Sequence, residues 1–246
     1  GAGFDITSYA GSSSGVTVRL DGGPSTGGDA EGDTLTGIEG VTGSGQADAL
    51  YGGSSDDRLD GAAGDDLISG GAGNDTLLGG SGDDVLIGGA GADSIDGGAG
   101  SNTASYAGAA AGVAVDLSGA AGTGGEAVGD TLTRISRLIG SAFDDRLGGG
   151  SGSEIIEAGD GNDTLIGSIG SDTLDGGDGR DTVSYSSSGS GVTAYLDGRS
   201  GSGGDAAGDV LISDEQLEGS EHDDELYGSE AADTISGGEG GDILRG

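Results

Sequence analysis

Residues 70–87 read GGAGNDTLL GGSGDDVLI, two nine-residue units with Gly at the first, second and fourth positions, Asp at the sixth and Leu at the eighth. The frame extends in both directions. From Gly43 to Ser105 seven units follow one another: GSGQADALY, GGSSDDRLD, GAAGDDLIS, the two quoted, GGAGADSID and GGAGSNTAS. A second array of five units runs from Gly140 to Ser184, and a third of three units starts at Gly219 and stops one residue into the next, at Gly246. A short fixed period is the signature of a solenoid.

The stretches between arrays resemble one another. Each follows a Tyr and reaches the first Gly of the next array after the same interval, from Tyr9 to Gly43, Tyr106 to Gly140 and Tyr185 to Gly219. Each carries an alternating run, Gly15 to Leu20, Gly112 to Leu117 and Gly191 to Leu196, whose apolar positions would share one face of a strand. Each then carries GGDAEGDTL, GGEAVGDTL or GGDAAGDVL, from Gly27, Gly124 and Gly203. The chain divides into residues 1–9, read as the tail of a preceding array; a spacer, 10–42; an array, 43–105; a spacer, 106–139; an array, 140–184; a spacer, 185–218; and a truncated array, 219–246. The interval from Tyr106 to Tyr185 is shorter than that from Tyr9 to Tyr106 by two whole nonapeptides. A unit that changes length in this step predicts two nonapeptides per structural turn. The expected fold is all-β, a β-solenoid of stacked 18-residue turns with three related 33-residue spacers.

Without the period, the composition would read differently. Of 246 residues 62 are Gly and 1 is Pro, and the formal net charge is -36. Leu, Ile, Val and Phe together supply only about 18% of the chain, which in a non-periodic sequence means disorder. With no Cys there are no disulfides or thiolate sites. Eight Arg and no Lys against 44 acidic residues argue against nucleic acid or an anionic membrane surface as a direct partner, since both require phosphate neutralisation. No apolar run approaches the roughly 18 residues of a membrane helix, so direct membrane insertion is not expected. No signal peptide is visible, and Gly1 reads as the start of an excised fragment.

Each nonapeptide offers six residues with turn chemistry and a triplet with one apolar slot. The slots hold Leu50, Leu59, Ile68, Leu77, Leu86, Ile95 and Ala104; Leu147, Ile156, Leu165, Leu174 and Val183; and Leu226, Ile235 and Leu244. One apolar side chain per repeat is too little burial to order the whole backbone of that repeat. The sixth position shows what else must bind. It holds Asp48, Asp57, Asp66, Asp75, Asp84, Asp93 and Asn102; Asp145, Glu154, Asp163, Asp172 and Asp181; and Asp224, Asp233 and Asp242. In turns stacked about 4.8 Å apart, such carboxylates repel by about 1 kcal/mol in water and about 3 kcal/mol at an effective dielectric near 20. A hard divalent cation reverses the sign, and carboxylates with carbonyls form the all-oxygen cage that Ca²⁺ accepts.

GGAGNDTLL and GGSGDDVLI resemble the hemolysin-type, or RTX, calcium-binding nonapeptide, and the resemblance covers all three arrays. It implies a right-handed parallel β-roll with Ca²⁺ between loops two nonapeptides apart, a chain disordered at low calcium, and export by a type I secretion system to the extracellular space or cell surface. Shared sites are expected between Asp48/Asp66, Asp57/Asp75, Asp66/Asp84, Asp75/Asp93, Asp145/Asp163, Asp163/Asp181 and Asp224/Asp242, with Asn102 and Glu154 departing from the pattern. Pairing loops two apart allows nine full sites. Spacer residues Asp33, Asp130 and Asp209, with Asp29, Glu126 and Asp205 shortly before them, are candidates for additional ligands.

The remaining features receive plainer readings. Opening repeats carry Gln46, Phe143 or His222 where Gly is usual and are expected to cap the core. The irregular fifth-position acids Asp56, Asp65, Asp83, Asp144 and Asp223 read as a solvated face, and Tyr9, Tyr106 and Tyr185 as structural caps. Arg134 and Arg137 are expected to pair with local carboxylates. No acid pair has a distinguishable environment, so no enzymatic activity is expected. Two alternatives remain open: an adhesin or glycan-binding segment using the spacers, and an accessory domain of a secreted protease, lipase or epimerase.

Overall fold

The computed structural model describes residues 3–246; residues 1 and 2, the first of the expected preceding-array tail, lie outside the described residues. The backbone divides into two compact units, Gly1–Tyr106 with Ala121–Ile135, and Ala107–Ala120 with Ser136–Gly246. Every paired strand described is parallel to its neighbour, and the register is set by the sequence period. Leu50 lies opposite Ile68, Leu59 opposite Leu77 and Leu165 opposite Val183, each pair separated by two repeats. Two nonapeptides therefore make one turn of a parallel β-roll.

In the first unit a six-stranded sheet runs Ile6–Ser8, Gly40–Thr42, Arg58–Asp60, Thr76–Ser81, Ser94–Ala99 and Thr131–Thr133. The alternate nonapeptides build the second sheet, through Thr17–Arg19, Ala49–Tyr51, Leu67–Ala72, Val85–Ala90 and Thr103–Ser105. The apolar slots of both sheets turn inward, and Leu50, Leu59, Ile68, Leu77, Leu86 and Ala104 are completely buried. The second unit repeats the plan in a six-stranded sheet from Ala114–Asp116 to Thr234–Ser236 and a series from Arg137–Ile139 to Val210–Ile212. A three-stranded sheet, Thr193–Tyr195, Glu225–Tyr227 and Ile243–Arg245, completes it. Leu244, in the last of these strands, is 48% exposed.

The spacers are not linkers. The strands expected in their alternating runs form at Thr17–Arg19, Ala114–Asp116 and Thr193–Tyr195, and each pairs in register with a strand of the opening nonapeptide that follows. Val18 thus lies opposite Leu50, Val115 opposite Leu147 and Ala194 opposite Leu226. Each spacer also makes a short 3-10 turn, at Gly28–Ala30, Gly125–Ala127 and Gly204–Ala206, before rejoining the roll. The strand after the turn regains the ladder, with Leu132 opposite Ile95 and Leu211 opposite Leu174. The spacers therefore insert residues at the corners while keeping the inward slots aligned. Among the described residues no helix is long and apolar enough to cross a membrane.

Candidate metal centre

The sixth-position carboxylates fold inward and are buried at Asp48, Asp57, Asp66, Asp75, Asp84, Asp93, Asp145, Glu154, Asp163, Asp172, Asp181 and Asp224, as is the amide of Asn102. Asp233 and Asp242, in the final array, are half-buried. These groups form an inter-turn ladder. The backbone N–H of Asp48 donates to Oδ1 of Asp66 at 2.8 Å, Asp57 to Asp75 at 2.7 Å, Asp66 to Asp84 at 2.9 Å and Asp75 to Asp93 at 2.8 Å. In the second unit Asp145 donates to Asp163, Glu154 to Asp172, Asp163 to Asp181 and Asp224 to Asp242. One carboxylate oxygen of each acceptor is thereby used.

The other oxygen separates the ladder into two kinds of position. In the interior, Oδ2 of Asp66, Asp75, Asp84, Asp93, Asp163 and Asp181 is buried with no hydrogen-bond donor. A buried, unpaired anionic oxygen is costly and is not left unmatched in a stable interior. At the opening of each array the same oxygens are satisfied. Asp48 accepts from the backbone of Val16 and from both the N–H and hydroxyl of Ser44. Asp145 is held by Val113 and Ser141, and Asp224 by Val192 and Ser220, in the same way. Glu154 accepts from Gly150 and Gly152, and Oδ2 of Asp172 from the Ser168 hydroxyl, so that pair has both acids supplied with donors.

At Asp66, Asp75 and Asp84 the bare oxygen shares a cradle with a backbone carbonyl, floored by the repeat's first Gly. A Cβ on Gly70 would collide with Oδ2 of Asp75 and stand 2.7 Å from the carbonyl oxygen of Gly88, one turn further along. The same constellation recurs at Gly61 with Asp66 and Gly79, and at Gly79 with Asp84 and Gly97. The first Gly is required because the space over it belongs to two oxygens. The fourth-position Gly has a different reason: Gly82 has φ 135° and lies against the carbonyl of Gly64, a conformation that L side chains rarely adopt. Among the described residues no group of three or more His, Asp or Glu side chains gathers around one point. The donor set is carboxylate plus carbonyl, all oxygen and anionic, which fits Ca²⁺ and would exclude softer metals.

Burial leaves its mark on the ionisation of these groups. Desolvation first, then the neighbouring carboxylates, pushes Asp66 and Asp75 up to about 7 and Asp163 up to about 6. Asp84, Asp93 and Asp181 are raised for the same first reason. Without a cation, the interior ladder holds protons more tightly than ordinary carboxylates do.

Two of the spacer aspartates, Asp130 and Asp209, occupy the same ladder. Oδ1 of Asp130 accepts from Asp93 at 2.8 Å and Oδ1 of Asp209 from Asp172 at 2.9 Å, but Oδ2 of each takes a phenol proton, from Tyr106 and Tyr185, both at 2.8 Å. Tyr9 donates likewise to Asp33, which is exposed. The recurrent Tyr thus supplies a hydroxyl where interior positions have an unpaired oxygen. Burial raises the Tyr9 hydroxyl to about 12 and the Tyr106 and Tyr185 hydroxyls further, so all three remain donors. Asp29 is exposed, and Glu126 and Asp205 are half-buried on the 3-10 turns, near enough to raise Asp130 and Asp209 electrostatically.

Sequence reasoning missed two sets of residues. Ser44, Ser141 and Ser220 complete the first carboxylate of each array, and the signal was present as Ser at the second position of every opening repeat. The fifth-position acids are exposed, as expected, yet they are not merely solvated. Oδ1 of Asp56 accepts from the backbone of Asn74, Asp65 from Asp83 and Asp144 from Asn162, forming a second ladder on the outer rim. Arg134 pairs with Asp96 and Arg137 with Glu157. His222 is exposed.

A parallel roll of two nonapeptides per turn, lined by cradles of carboxylate and carbonyl oxygens, defines a structural repeat module with sites suited to hard cations. The sequence pattern of the RTX calcium-binding nonapeptide repeat matches residues 42–77, 69–104, 135–165, 148–183 and 212–246, more than half of the chain. The chain belongs to the RTX calcium-binding repeat family. Its calcium-binding repeat is a structural element rather than a catalytic one. Comparison with curated proteins finds no match.

Proposed function

We propose that this module is a calcium-triggered folding segment of a larger secreted protein, exported unfolded by a type I system and folded by extracellular calcium. The observation that carries this reading is the set of buried interior Oδ2 atoms with no donor, those of Asp66, Asp75 and Asp84 sharing a Gly-floored cradle with a carbonyl. A fold that buries these anions in a chain of net charge -36 gains little from its thin core. Cation binding to the folded state alone then shifts the balance by mass action.

The pairs with at least one buried bare oxygen are the strongest candidates: Asp48/Asp66, Asp57/Asp75, Asp66/Asp84, Asp75/Asp93, Asp84/Asn102, Asp145/Asp163 and Asp163/Asp181. Glu154/Asp172 is internally satisfied and Asp224/Asp242 lies at the partly exposed final array, so these two are the weaker members of the nine expected. Circular dichroism and hydrodynamic radius, measured in EGTA and in millimolar Ca²⁺, test the proposal. The expected result is an expanded, unordered chain in EGTA and a compact β-rich one in calcium. Equal structure and equal radius in both would refute it.

A further inference from the structure

The corner where the 140–184 array passes into the third spacer differs from the corresponding corner of the first unit in a concerted way. The two corners are equivalent in register. Asp96 lies opposite Thr133 and Asp175 opposite Ile212, and the next residues, Arg134 and Ser213, both take φ 56°. In the first unit this corner is self-compensated. Asp96 is neutralised by the Arg134 guanidinium, Asn102 donates its side-chain N–H to the Arg134 carbonyl at 3.3 Å, and the following Ile135 is 8% exposed in the core.

In the second unit every one of those compensations is gone. Asp181 replaces Asn102, so an acceptor stands where an N–H donor stood. Its Oδ2 and the Ser213 carbonyl both lie within 2.7 Å of the Cβ position of Gly176, two oxygens sharing a cradle with no proton to bridge them. Ser213 replaces Arg134, and Oδ1 of Asp175, the counterpart of Asp96, is buried without a donor. Asp214 replaces Ile135. It is 6% exposed, and both of its carboxylate oxygens are buried without a hydrogen-bond partner. Glu215 follows it and accepts from the Asp181 backbone at 3.1 Å. One acid and one base have become four acids and no base.

We propose that Asp181, the Ser213 carbonyl and Asp214 bind one Ca²⁺ in addition to the nine expected between paired nonapeptides, with Asp175 and Glu215 adding negative charge near it. Asp214 has no place in the repeat pattern, and at its position in the other spacers stand Ile38 and Ile135. A buried Asp in an isoleucine's place is destabilising unless a partner meets it. Oxygen-only ligands and high local charge select Ca²⁺ over softer ions.

The inference rests on the reading of the interior cradles as calcium sites, and ion counting separates the two. Radiocalcium equilibrium dialysis on the full chain gives the number of ions bound at saturation. Asp214→Ile should bind one ion fewer than wild type while keeping its calcium-induced ellipticity. The converse change in the first unit, Asn102→Asp with Arg134→Ser and Ile135→Asp, should bind one ion more, and it decides the matter alone if Asp214→Ile does not fold. Unchanged counts in both variants, with wild type still folding on calcium, would overturn this site and leave the module reading intact. A wild-type chain that binds no calcium overturns both.

Discussion

Asp75→Asn separates the two roles assigned to the interior ladder. Asp75 accepts from Asp57 at 2.7 Å through Oδ1, donates its N–H to Asp93 at 2.8 Å, and holds Oδ2 buried without a donor. An Asn keeps the accepting oxygen, removes the charge and sets an N–H donor where the bare oxygen stood. The chain shows that it fits, since Asn102 is fully buried on the same ladder and accepts from Asp84 at 3.0 Å. In the metal-free chain the substitution removes repulsion with the carboxylates above and below, about 1 kcal/mol each at a strand spacing of about 4.8 Å in water. In calcium it removes a ligand from the two ions shared with Asp57 and Asp93. An ion present at ten times its Kd contributes about 1.4 kcal/mol, so losing two costs about 3 kcal/mol. The variant should therefore be about 2 kcal/mol less disfavoured in EGTA and, with that gain set against the lost ions, about 1 kcal/mol less stable in calcium. Urea unfolding followed by ellipticity, at fixed free calcium and in EGTA, reads both numbers. Asp65→Asn, at an exposed rim position, is the control and should leave the calcium midpoint in place. An Asp75→Asn chain with the wild-type calcium midpoint would refute the assignment.

Acid should partly replace calcium. Asp66 and Asp75 rise from 3.8 to about 7 and Asp163 and Asp172 to about 6 in the folded state, chiefly through desolvation. The folded state then binds more protons than the unfolded one. The stability these protons confer is complete below pH 3.8 and is lost as pH rises through 6 to 7. In EGTA, β-structure should increase as pH falls from about 8 to about 4, and a flat ellipticity profile would contradict this. Gly70→Ala places a Cβ among the oxygens of Asp75 and Gly88 and should abolish calcium-induced folding of the first unit, read as lost ellipticity. Gly108→Ala, with nothing within 4 Å, should change stability by less than about 0.5 kcal/mol. Tyr106→Phe leaves Oδ2 of the fully buried Asp130 without its donor and should cost about 1–3 kcal/mol in urea unfolding, a loss the conservative shape of Phe cannot mask.

Much of this architecture was legible in the period. The difference between the Tyr9–Tyr106 and Tyr106–Tyr185 intervals predicts the turn length that the pairing of Leu50 with Ile68 displays. The apolar slot and the sixth-position acid follow from the same frame, because neighbours in a roll repeat at a fixed interval. The capping serines were legible too, at the second position of each opening repeat, although their purpose depends on the fold of Asp48 back onto Ser44. The spacer aspartates were harder to judge. Their G-D-T-L context places Asp130 on the ladder, but the fate of its second oxygen depends on Tyr106, at the other end of the spacer's loop.

What the sequence alone determines here is a lattice: two nonapeptides per turn, one apolar side chain inward, and one carboxylate per corner, since each is a property of the repeat itself. The tertiary structure decides which of those carboxylates has a donor. That depends on what stands one turn or one spacer away, an interval set by how much chain each spacer loops out before regaining register. Asp66, Asp130 and Asp48 carry the same side chain on the same ladder. An open oxygen, a phenol and a serine separate them, and only the stacked turns bring those partners into contact.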